Sequence, residues 1–135
     1  MLQAQGPAAI GVDKYRDIPV PPGTAALDAV LRKHTNIVWV FRFGTNAALI
    51  EPPAALKGTE RAGFADLVDD AGGIIRRGLL VLDDGKSVYQ SLALGVALQY
   101  LKPSGLAIGG GAQAIVLRNE KGVPDRFGLP AAPSS

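Results

Sequence analysis

The sequence predicts an α/β fold: a mixed sheet with a parallel βαβ crossover, followed by a β-hairpin meander and a buried helix. Three observations carry this expectation. Across residues 8–43 an apolar run, an amphipathic stretch and a second apolar run follow one another, which is the order of a parallel crossover unit. Asp84-Gly85 between two apolar runs is a hairpin signal. Ten prolines and seventeen glycines divide the chain into short elements joined by turns.

The first strand is expected over Ala8 to Val12, where AAIGV stops at Asp13. DIPVPPG, Asp17 to Gly23, holds three prolines and must be an extended loop. Thr24 is a good N-cap, and Leu27, Val30 and Leu31 recur at helical spacing, so a helix is expected from about Ala25 to His34. IVWVFRF, Ile37 to Phe43, is β-branched and aromatic on both faces until Arg42, as in a strand covered on both sides. Glu51 to Gly63 is expected at the surface, with one helical turn after Pro53. FADLV (Phe64 to Val68), the turn DDAGG, IIRRGLLVL (Ile74 to Leu82) and KSVY then form the meander. A helix closely packed on the sheet follows from Ser91 to Leu101, where Ala93, Gly95 and Ala97 are small. Ser87 and Gln90 also match a capping box that would start it three residues earlier, and Pro103 ends it in both cases. Gly105 to Asn119 reads as a strand broken by glycines, and residues 131–135 as a frayed tail. Residues 1–135 are expected to form a single domain.

Composition excludes several function classes. At 47% hydrophobic and 19% charged residues the chain belongs with globular domains. A net charge of +2 without a basic run gives no electrostatic footprint for nucleic acid. With no cysteine and one histidine, disulfides, zinc ribbons, thiol nucleophiles and histidine-based metal clusters are unavailable, and no metal or cofactor is expected. The longest apolar stretch, Ser91 to Leu101, falls short of the roughly 20 residues of a membrane span, so no span is expected in this chain. DDGKS lacks the upstream glycine of a phosphate loop, where Leu80 stands, and reads as a hairpin tip. GGGAQA, Gly109 to Ala114, matches a dinucleotide fingerprint literally but follows no strand-to-helix turn. His34, in the last turn of its helix, suits the dipole.

The charged residues that remain gather at strand ends. GVDKYRD places Asp13, Arg16 and Asp17 after the first strand, and Arg42 closes the second. In crossover geometry the carboxyl ends of neighbouring strands form the cleft where α/β folds bind ligands. Adjacent Arg76 and Arg77 must point to opposite faces of a strand, so the inner one needs compensation. A structural ion pair with Asp66, Asp69 or a rim aspartate is one answer, and an anionic ligand is the other.

Assembled, these stretches resemble the second family of CHASE domains, the sensory extracellular modules of cyclases and histidine kinases. The residues that carry the resemblance are AAIGVDKYRDIPVPPG (8–23), TNIVWVFRFG (35–44) and GFADLVDDAGGIIRRGLLVLDDGKSVYQSLALGVALQYL, together covering about residues 8–102. Lys14, where an apolar residue is expected, and the segment after Pro103 depart from the pattern. The resemblance implies a sensor module, truncated relative to the family, displayed outside the cytoplasm by a membrane-bound parent with a cyclase or kinase effector. The leading reading is a non-catalytic sensor, and the crossover geometry places its expected small polar or anionic ligand at Asp13, Arg16, Asp17 and Arg42. An assembly module that homodimerises and binds nothing small is the alternative, and a small cofactor-free α/β enzyme the third reading.

Overall fold

A computed structural model describes residues 2–44, 48–67, 73–75, 78–111 and 114–119 of the chain. By its internal contacts the chain divides into two compact units, Met1–Tyr100 and Leu101–Ser135.

The first unit is built on a parallel sheet in the order β1-β2-β3, with β1 at Ile10–Val12, β2 at Ile37–Phe41 and β3 at Ala62–Phe64. Ile10 pairs with Ile37 and Val12 with Trp39, while Trp39 pairs with Ala62 and Phe41 with Phe64. All five residues of β2 are buried. Because alternate side chains leave opposite faces, both faces of the sheet are covered, as its unbroken apolar composition predicts.

Helix α1, Thr24–Lys33, links β1 to β2 in the expected crossover. It places Leu31 in a buried cluster with Ile37, Trp39, Val40 and Leu56. Thr24 is not its N-cap. Gly23 occupies that position, and the Thr24 hydroxyl turns back to the Val20 carbonyl at 3.1 Å, closing the proline loop. At the other end Arg61 donates from Nη1 to the carbonyls of Leu31, at 2.8 Å, and His34, at 3.0 Å. Those acceptors have no partner inside the helix, and Arg61 satisfies both.

The segment from Glu51 to Gly63 differs from its expected surface role. Its single 3₁₀ turn, Ala54–Leu56, does follow Pro53, but Pro53, Leu56 and Gly63 are buried. Its end is β3, the third parallel strand, so Phe64 belongs to the parallel sheet rather than to a meander. Among the described residues of the apolar run from Ile74, the strand is β4, Val81–Asp83, which pairs antiparallel with β5, Val88–Gln90. The hairpin tip lies at Gly85 and Lys86, since Asp84 N–H donates to Ser87 O at 3.2 Å. Gly85 there has φ 81°, a left-handed value that glycine adopts without strain.

Helix α2, Leu92–Leu101, begins after the hairpin, and β5 takes up the earlier capping box from Val88 to Gln90, leaving Ser87 just before it. Ser91 is the cap: its Oγ accepts the Leu94 N–H at 3.2 Å, its carbonyl accepts Gly95 N–H, and its own N–H reaches Leu80 O. A parallel bridge from Ser91 to Phe64 joins hairpin and sheet. Glycines let α2 lie close. A Cβ at Gly63 would sit 2.6 Å from Leu92 Cα and 2.9 Å from the Ser91 carbonyl carbon, and one at Gly95 would sit 3.0 Å from Val38 Cγ1. Gly95 is buried, whereas Ala93 and Ala97 face outward, so the approach depends on glycine at one face rather than on small residues all round. On the opposite face Phe41, Phe43, Phe64 and Tyr89 form an aromatic cluster, with Phe43 and Tyr89 4.7 Å apart edge to face.

The second unit holds a 3₁₀ turn, Lys102–Ser104, and an antiparallel pair, β6 at Leu106–Gly111 and β7 at Ala114–Asn119. The expected single glycine-broken strand is therefore a hairpin, paired from Leu106↔Asn119 to Gly111↔Ala114. Gly109 to Gly111 sit in β6, which excludes the strand-to-helix turn of a dinucleotide site.

Candidate functional site

The candidate site is the carboxyl rim of the parallel sheet, where the chain leaves β1, β2 and β3 side by side. After β1 the chain is held by the Trp39 indole N–H, which donates from β2 to the Lys14 carbonyl at 2.5 Å. Asp13, Lys14, Tyr15 and Asp17 are exposed, and Arg16 is half-buried. Arg16 donates from Nη2 to Val20 O at 3.2 Å, bracing the proline loop.

Arg42 follows β2. Its backbone forms an antiparallel bridge with Ile50, N–H to O at 3.0 Å one way and 3.1 Å the other. Its guanidinium straddles the Ala48 carbonyl, from Nε at 3.2 Å and Nη2 at 3.1 Å. The carbon of that group lies 5.7 Å from the centroid of the Tyr15 ring, a cation–π contact between the first and second rim segments. After β3, Asp66 Oδ2 accepts the Phe43 N–H at 3.0 Å and ties the third segment to the second.

Of the residues named from sequence, Arg42 and the loop bearing Asp13, Arg16 and Asp17 thus meet at one rim, through Tyr15 rather than through opposite charges. Among the described residues the ion pair present is Lys57 with Glu51, on the segment after β2. Asp66 carries a backbone tie. Asp69, Arg76 and Arg77 lie outside the described residues, and so does the ion pair expected of them. Sequence reasoning did not name Tyr15 or Trp39 as site residues, and it named Asp66 as an ion-pair partner for an arginine rather than as the acceptor of the Phe43 amide. Asp66 had a signal, a carboxylate just past an apolar strand end, but only the unrecognised β3 gives it meaning.

Chemically, the rim offers the exposed carboxylates of Asp13 and Asp17, the guanidiniums of Arg16 and Arg42, the Lys14 ammonium and the Tyr15 phenol, all able to hydrogen-bond a polar ligand. His34 lies at the other end of β2, away from these groups. Among the described residues no three of His, Cys, Asp or Glu cluster as a metal site. No described helix is long and apolar enough to cross a membrane.

No curated protein and no solved structure matches the chain. The model of the CHASE2 domain family does match, over residues 1–129, so the likeness extends past 8–102 and takes in the segment after Pro103. CHASE2 domains are sensory extracellular domains of signalling proteins and are generally non-catalytic. With its sheet, hairpin and packed helices inside the matched residues, this chain belongs to the CHASE2 domain family.

Proposed function

We propose that this domain senses a small polar or anionic ligand at the carboxyl rim of its parallel sheet and biases a membrane-coupled effector, a cyclase or a kinase, from the extracytoplasmic or periplasmic side. The observation that carries the reading is the meeting of Tyr15 and Arg42 across two rim segments, with Asp13, Arg16 and Asp17 on the same loop. A ligand that touches both segments has different affinity for the tied and untied rim, which is what a sensor requires. Calorimetry against a panel of carboxylates, phosphates and amino acids tests it. A binder should lose about tenfold or more in affinity with Arg16→Ala, and an amino acid, whose ammonium group can donate to Asp13, should lose as much with Asp13→Asn, the size of one hydrogen bond to a charged group. A binder indifferent to substitutions at Asp13, Arg16, Asp17 and Arg42 would move the site elsewhere.

A second reading, homodimeric assembly, is favoured by exposed apolar side chains on the hairpin, Leu80 at 47% and Val88 at 68%. Light scattering over a concentration series separates the two, since a dimer sensitive to Val88→Lys and indifferent to rim substitutions supports assembly.

A further inference from the structure

We propose that Arg42 is a latch that an oxyanion opens, by replacing the Ala48 carbonyl on the Nε and Nη2 edge of the guanidinium. The inference rests on the rim being the ligand site and specifies what the ligand exchanges there.

The Nε–Nη2 edge is the planar fork that takes a carboxylate or phosphate with two parallel hydrogen bonds. In this domain both donors converge on one neutral oxygen, Ala48 O, at 3.2 and 3.1 Å. A shared carbonyl is a poor match to that fork, and bonds to an ionised oxygen are roughly twice as strong as neutral ones. Exchange leaves nothing buried and unpaired, because Ala48 is exposed and its carbonyl passes to water. The Tyr15 contact is with the ring, 5.7 Å from the guanidinium carbon, while the Nε and Nη2 donors go to Ala48 O and not to Tyr15. The Tyr15 contact can therefore persist while the edge changes partner, keeping the anion beside the Asp13–Asp17 loop.

The change would be read in the segment that returns to Ile50. That segment is anchored by the backbone bridge between Arg42 and Ile50 and by the guanidinium on Ala48. Among the described contacts of the segment, removal of the second anchor leaves the backbone bridge to hold Ile50. Opening of the latch thus converts occupancy at the rim into loosening of the Ile50 amide, and the common chemistry of the effective ligands is a carboxylate or phosphate oxyanion.

Two N–H signals in the isotope-labelled chain test this. The Trp39 indole, from the single tryptophan, reports the rim, and the Ile50 amide reports the latch. The probes are inorganic phosphate and, separately, succinate, each against sodium chloride at matched ionic strength. An oxyanion should shift the Trp39 signal and speed Ile50 exchange about tenfold or more. Arg42→Lys, which keeps the charge but lacks the fork, should exchange Ile50 at the fast rate without any anion. Response to one probe alone supports the latch and names the anion class. A Trp39 shift with unchanged Ile50 exchange overturns the latch and leaves the ligand site standing. Fast exchange in Arg42→Lys with no response to either anion in the parent chain overturns the exchange and takes the anionic-ligand reading with it. Slow exchange in Arg42→Lys overturns the latch outright.

Discussion

Strands β2 and β3 lie side by side in one parallel sheet and hold their places by different means. β2 is five apolar residues, all buried, and its composition alone favours an inner strand. β3 is Ala62, Gly63 and Phe64, of which only Phe64 has a strand-forming side chain. Its neighbours supply the rest. Trp39 N–H donates to Arg61 O at 2.8 Å just before it, Arg61 reaches the end of α1, Ser91 bridges to Phe64, and Asp66 ties its exit to Phe43. The difference shows two routes to a strand, one through what its residues bury and one through what its flanks bond.

If that distinction is right, β3 should concentrate its apolar stabilisation in one side chain. Phe64 is 0% exposed, and Phe64→Ala is expected to cost about 3–5 kcal/mol. Val40→Ala, at an equally buried β2 position, removes two methyl groups and should cost about 2 kcal/mol. Urea unfolding of both with unchanged slopes measures the pair. A larger loss at Val40 than at Phe64 would break the comparison.

Gly63 sharpens it. A Cβ there would stand 2.6 Å from the α2 backbone, where no side-chain rotation gives relief, so Gly63→Ala should cost about 1–3 kcal/mol by pushing the helix off the sheet. Gly58, with nothing within 4 Å of a built Cβ but φ at 70°, provides a control whose loss arises from backbone strain alone. Only Gly63→Ala should speed amide exchange along α2. Next in size is Ser91→Ala, which deletes the cap on Leu94 and should cost about 1 kcal/mol, while Ser91→Asn retains most of it. An unchanged midpoint in urea for Ser91→Ala would mean that the bridge to Phe64, not the hydroxyl, holds the start of α2.

The same contrast explains what could be read in advance. β2 and α1 announce themselves through local spacing, Ile37 to Phe41 in one run and Leu27, Val30 and Leu31 on one helical face. β3 has no local period, and the close approach that requires Gly63 involves Leu92, far along the chain. At the rim, Asp13 and Arg42 were legible because a charge ends an apolar run. Asp66 was named for an ion pair, and its tie to Phe43 was not legible, because that partner lies 23 residues away and no spacing rule connects a carboxylate to one distant amide. The same holds for Tyr15 beneath Arg42. Ser87 and Gln90 gave a literal capping box that the hairpin overrode, since Val88 to Gln90 pair with Val81 to Asp83.

The smallest effect lies at the hairpin tip, a structure held by its own turn. Asp84 Oδ1 accepts the N–H groups of Lys86, at 2.9 Å, and Ser87, at 2.7 Å. These two bonds favour the carboxylate and hold its pKa below the ordinary value of about 3.9, against a weaker opposing push from desolvation. The folded chain therefore binds this proton less readily than the unfolded chain. Stability from Asp84 is complete above the unfolded value and fades as pH falls through the folded one. Because the carboxyl is exposed, solvent screens it and the effect is small. Asp84→Asn retains an acceptor for both amides but cannot ionise, so the midpoint difference between parent and variant should be present at about pH 6 and shrink toward about pH 2. A difference that stays constant across that range would assign the turn to its backbone geometry, with Gly85 and not the Asp84 charge as the determinant.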